Sequence, residues 1–119
     1  AYLAQVRGSP SSTVRVRDAS GRQQTFTLTS CVSERTGSEA HTDASPAYDR
    51  VGAVYTRSGN CTPGASVVPL TTDKARLVAT IDSLTASGTT AGHIGTAWAW
   101  YLLSPNWSNI WTGSSTPGS

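Results

Sequence analysis

Apolar and polar positions alternate along Thr13-Val14-Arg15-Val16-Arg17 and again along Thr25-Phe26-Thr27-Leu28-Thr29. A period of two turns one side of a strand inward and leaves the other in water. Asp18-Ala19-Ser20-Gly21 supplies turn chemistry between the runs, so the pattern predicts a β-hairpin. From residue 31 to 64 the pattern dissolves. Apolar residues are sparse, no period holds, and Gly, Ser, Pro, Asp and Asn recur. Only Val51 to Tyr55 offers a short strand there. The stretch reads as a long loop, and such loops in compact domains are usually functional or stapled.

Beyond the short apolar run Ala65 to Leu70 the period changes to 3.6. Thr71-Thr72-Asp73-Lys74 opens a helix, with Thr72 as cap and Asp73 at the positive end of the dipole. Leu77, Ile81 and Leu84 recur at i, i+4 and i+7 with Val78 alongside, forming one apolar stripe. Ser87-Gly88 ends the helix. Thr89-Thr90 caps a second one beginning near Ala91. Its inner face is Ile94, Ala97, Trp98, Tyr101 and Leu102, and Pro105 stops it. The order is hairpin, loop, helix, tight turn, helix and an irregular Trp-bearing tail, which is an α/β class. Residues 1–12 read as an N-terminal segment and linker, 13–111 as the domain, and 112–119 as a flexible low-complexity tail.

Composition narrows the class. The 119 residues suit one domain, and a chain of this size buries roughly two-thirds of its unfolded surface. Only 13% of residues are charged, while Ser and Thr make up 34 positions. Polarity therefore comes from hydroxyls. This excludes a charged helical bundle or coiled coil, and the lack of a glycine period excludes collagen. Four Trp and four Tyr argue against disorder. A net charge of +2 is too small for a nucleic-acid footprint. Arg15, Arg17 and Arg22 read instead as one wet strand face and a turn. The longest apolar cluster, Ala97 to Leu103, is too short to span a bilayer, and no signal peptide is visible at Ala1 to Arg7. Any membrane anchor is expected to lie outside this stretch.

Candidate chemistry is thin. Cys31 and Cys61 sit at the two ends of the long loop. A disulfide there would stabilise by about 3–4 kcal/mol on the chain-entropy estimate, against the alternative of two reduced, buried thiols. The disulfide suits an oxidising compartment. With only His41 and His93 beside them, zinc is not expected. Both histidines read as surface residues, His93 in the first turn of the second helix. There is no nucleophile elbow, P-loop, dinucleotide fingerprint or zinc-protease motif, so no catalyst is expected. Asp43-Ala44-Ser45-Pro46-Ala47 is a loose match to a DxSxS metal motif and lacks its last Ser. Asn60-Cys61-Thr62 and Asn106-Trp107-Ser108 match the glycosylation sequon. Trp107 and Trp111 form a contact surface for sugar or protein, or pack back on the second helix.

The stretch Leu70 to Trp107 resembles the central part of the von Willebrand factor A-like domain of bacterial pilus-assembly proteins of the TadG type. The likeness is carried by Ser87-Gly88-Thr89-Thr90 in the turn and by Gly95-Thr96-Ala97-Trp98-Ala99-Trp100-Tyr101-Leu102-Leu103-Ser104-Pro105 after it. Cys31-Val32-Ser33-Glu34-Arg35 is similar to a Cys-containing segment of that family. The resemblance implies a three-layer domain around a mostly parallel sheet, of which this chain is an internal portion. It also implies a divalent cation, Mg²⁺, in the complete domain, with Thr89 as one ligand. The flanking DxSxS strand and a later Thr-Asp-Gly strand are missing here, so no cofactor is expected in this chain alone. Without those strands, exposed helix faces should demand a partner. The expected role is a non-enzymatic interaction or adhesion module of a Tad-type (Flp) pilus-assembly system. It would be periplasmic or at the cell surface, with other envelope proteins as partners. The alternatives are a secreted carbohydrate- or surface-binding module using Trp107 and Trp111, or a hydrolase without a visible motif.

Overall fold

Both alternating runs form strands, and they pair as expected. In the computed structural model, which describes residues 1–6, 8–61, 65–86 and 91–117, β2 (Thr13–Arg17) and β3 (Gln23–Leu28) make an antiparallel hairpin. Its register runs from Thr13 opposite Thr27 to Arg17 opposite Gln23. The connection is closed by Asp18. Its carboxylate accepts from the Ser20 and Arg22 backbone amides, the Ser20 hydroxyl at 2.6 Å and the Gln24 amide at 3.0 Å. The Ser20 hydroxyl first, and Gln24 next, hold this carboxyl below its ordinary pKa. Gly21 takes φ +79°, the left-handed region in which a residue without Cβ is unstrained.

Two further strands complete the sheet. β4 (Ala53–Thr56) falls where Val51 to Tyr55 suggested a strand, and β1 (Tyr2–Ala4) comes from the segment read as a linker. The order is β1-β4-β3-β2, and every pairing is antiparallel. The chain is thus mixed α and β as expected. The mostly parallel sheet implied by the resemblance is not what the described strands make. A tight turn forces the β2–β3 pair to be antiparallel, since parallel neighbours need a crossover, while β4 reaches β1 and β3 through long stretches of chain.

The chain divides into two units. The first comprises Ala1–Thr42 and Pro46–Thr62, the second Asp43–Ser45 and Pro63–Ser119. In the first, Tyr55 on β4 is 2% exposed, and its ring lies 6.4 Å from that of Tyr2. Its hydroxyl donates to the Ser11 carbonyl at 2.9 Å. Gly52 is closely approached: a Cβ there would stand 2.7 Å from Leu3 Cδ1 and 3.2 Å from the Ala4 carbonyl oxygen.

The second unit holds α1 (Lys74–Asp82) and α2 (Gly92–Leu103). α1 stops at Asp82, short of the expected Ser87-Gly88 end, and the Ser83 hydroxyl donates to the Thr80 carbonyl of its last turn. The cap of α1 is Asp73, one residue later than expected. Its carboxylate accepts from the Arg76 amide at 3.0 Å, while the Thr71 hydroxyl accepts from the Asp73 amide. A carboxylate at this position also meets the helix dipole, which a Thr72 hydroxyl would not. The expected caps Thr89 and Thr90 lie outside the described residues. Ala91, the residue before α2, makes no side-chain cap bond. Pro105 ends α2 as expected and opens a short 3₁₀ turn, Pro105–Trp107.

Candidate functional site

The long loop of the first unit is stapled and pinned from within. Cys31 and Cys61 form a disulfide with their Cα atoms 6.0 Å apart. The Thr29 hydroxyl donates to the Val54 carbonyl and accepts from the Cys31 amide, tying the staple to β4. Ser33, buried, donates its hydroxyl to the Gly52 carbonyl. Arg35 has no side-chain exposure at all. Its guanidinium lies 3.8 Å from the Asp49 carboxylate and donates to the Asp49 main-chain carbonyl. A buried guanidinium needs such partners, because an unpaired charge out of water is costly. Arg35 was seen in the sequence only as part of a family-like segment. Nothing local announced that it would turn inward.

This scaffold presents a cleft of about 650 Å³. Its walls are the 36–39 turn, the 47–50 turn and the chain near Gln5 and Val6. Among the described residues the walls carry hydroxyls (Thr36, Ser38), two carboxylates (Glu39, Asp49) and one exposed guanidinium (Arg50). Glu39 accepts from the Thr42 hydroxyl at 2.7 Å, and Arg50 donates to the Gly8 carbonyl. Tyr48 lines the cleft and is 79% exposed. The 31–64 loop marked the region in the sequence, but a single Tyr between Ala and Asp carries no signal of its own.

The second unit is organised by aromatic rings. Tyr101 and Trp107 stack at 4.1 Å with an interplanar angle of 7°. Trp98 meets both edge-on at 5.8 Å. Tyr101 and Trp107 are 1% and 2% exposed. Trp111 is half-buried, and its indole N–H donates to the Tyr101 carbonyl at 3.3 Å. Of the two readings of Trp107 and Trp111, the structure shows packing against α2. Trp107 is no exposed contact surface, because stacking on Tyr101 removes its ring from water. The exposed apolar groups lie elsewhere. Trp100 and Leu103 face outward from α2, and α1 buries none of its residues. Leu77, Val78, Ile81 and Leu84 are 38–64% exposed.

The residues considered as metal ligands are Thr89 and the 43–47 stretch. Thr89 lies outside the described residues. Asp43, from the DxSxS-like stretch, accepts from the Ser104 hydroxyl at 2.6 Å and the Asn106 amide at 3.2 Å, so its carboxylate braces the end of α2. That use also occupies the Asn106 sequon side chain. Among the described residues no three His, Cys, Asp or Glu side chains converge as a metal site. His41 and His93 are exposed, the latter in the first turn of α2 as expected. No described helix is long and apolar enough to cross a membrane. Searched against protein-family models, curated proteins and solved structures, the chain matches none.

Proposed function

We propose that the chain is a non-enzymatic interaction or adhesion module of a Tad-type pilus-assembly system in the bacterial envelope. In this reading, 70–107 belongs to a von Willebrand factor A-like domain whose remaining strands are supplied from beyond this stretch. The observation that carries it is the apolar face of α1. A nine-residue helix is marginal in water by itself, since isolated helices need about 12–15 residues and most helical stability comes from packing an amphipathic face. α1 presents Leu77, Val78 and Ile81 to solvent, with Leu84 exposed just beyond its end, so a covering surface would stabilise it. The Cys31–Cys61 disulfide fits an oxidising compartment such as the periplasm. Partners are envelope or pilus-assembly proteins, and anchoring to the inner membrane belongs to the parent protein.

The test is photo-crosslinking from position 81 in the bacterium that makes the protein. The expected outcome is crosslinks to envelope proteins of the pilus machinery, abolished by Leu77→Glu with an unchanged circular dichroism spectrum. Crosslinks confined to cytoplasmic proteins, or none above background, would remove the reading.

A further inference from the structure

We propose that the cleft beside Tyr48 is a binding site for a neutral saccharide. Three observations on the first unit converge on that class, none of them drawn from the pilus-assembly reading.

Charge is balanced. The Asp49 carboxylate faces the buried Arg35 guanidinium at 3.8 Å, and Glu39 and Arg50 contribute one further charge of each sign. Neither an anion nor a cation gains net attraction from these residues, and either would lose hydration on entry. An uncharged polar ligand avoids that cost. Hydrogen-bonding capacity is also dense. Thr36 and Ser38 carry exposed hydroxyls that both donate and accept, and Asp49 keeps acceptor positions on a half-buried carboxylate. Bonds from a ligand hydroxyl to a carboxylate are charge-assisted, and so stronger than neutral ones.

The third observation is Tyr48. It is the most exposed aromatic residue among those described, although burial is the usual state of such rings. The adjoining backbone is fixed, because Arg35 grips the Asp49 carbonyl. A ring held open to water beside hydroxyls and carboxylates matches the two faces of a pyranose. Its C–H face packs on an aromatic ring, and its hydroxyls bond to the polar wall. Preorganisation by the disulfide lowers the ordering cost of binding.

Amide chemical-shift mapping on the oxidised chain tests this. The probes are cellohexaose, chitohexaose and mannohexaose, each at about 10 mM, above a roughly millimolar dissociation constant. Sialyllactose, a sulfated oligosaccharide and a neutral Gly-Ser peptide serve as comparators. The expected result is a saturable shift of the 36–39 and 47–50 amides with at least one neutral sugar. Tyr48→Ala should weaken it about tenfold, and Tyr48→Phe should retain it. Because Tyr48 is exposed, its loss should leave the fold intact. The proposal fails if no neutral sugar shifts these amides, if Tyr48→Ala binds as wild type does, or if the charged sugars or the peptide bind as well or better.

Discussion

Tyr55 and Tyr101 are almost equally buried, yet different physics holds them. Tyr55 lies on β4, which is hydrogen-bonded to β1 on one side and β3 on the other, and its hydroxyl reaches a carbonyl 44 residues away in sequence. The backbone ladder there does work that side chains need not do. Tyr101 lies on a helix, which satisfies its own backbone and gains nothing from a neighbour's main chain. It is held by rings: Trp107 stacked on one face, Trp98 at the edge. The same contrast explains α1. A strand can be secured by pairing even when its faces are wet, but a helix without side-chain partners is left with its stripe in water. The first unit therefore tolerates a long irregular loop, while the second leaves an apolar face open.

The largest expected effect breaks the aromatic side of this comparison. Trp107→Ala removes the stacked partner of Tyr101 and should cost about 3–5 kcal/mol, read by chemical denaturation, with hydrogen exchange of the 92–107 amides accelerated. A loss below about 1 kcal/mol would show that stacking does not organise the second unit. On the other side, replacing both Cys31 and Cys61 by Ser should destabilise by about 3–4 kcal/mol, because the unfolded chain regains the entropy of a thirty-residue loop. The accelerated exchange should concentrate in 31–61. If it spreads instead through the β2–β3 hairpin, the backbone ladder is less self-sufficient than argued.

The smallest effect sharpens the hairpin. The Asp18 carboxyl titrates below its ordinary value in the folded chain. Its contribution is present above the unfolded pKa of about 4 and is lost as pH falls through the lower folded value. Asp18→Asn should lower the thermal midpoint slightly at neutral pH. The gap between variant and wild type should close as pH falls through the lowered folded value, where the carboxyl is protonated in both states. A gap unchanged at acid pH would mean that the charged form is not what the turn recognises.

Local periodicity was enough for the β2–β3 hairpin, the presence of both helices, the Pro105 stop and the inner face of α2, because each depends on neighbours within a few residues, but it carried α1 past its actual end at Asp82. Two elements escaped it. β1 is only three residues long, and Tyr2-Leu3-Ala4 becomes a strand because β4 offers it an edge. Asp73 replaced Thr72 as cap because cap choice turns on backbone geometry at single-residue precision. Of the candidate site, the sequence marked the 31–64 loop and its two cysteines but not the cleft. Two wall stretches, 36–39 and 47–50, lie in that loop, but the third, near Gln5 and Val6, comes from the distant N-terminal segment, and no local window contains all three.

By itself, then, the sequence determined the class of the chain: α/β, hydroxyl-rich, weakly charged, with a hairpin, two helices and a loop bounded by cysteines. Such features follow from composition and from short-range spacing, which any conformation of the chain carries. Tertiary structure alone decided that the sheet is antiparallel, that Trp107 turns inward, that Asp43 braces a helix end and that Arg35 is buried beside Asp49. It also decided that Tyr48 stands open at a cleft while the stripe of α1 lies in water. Each of these depends on which distant residue arrives next to it, and a linear spacing rule does not encode that distance.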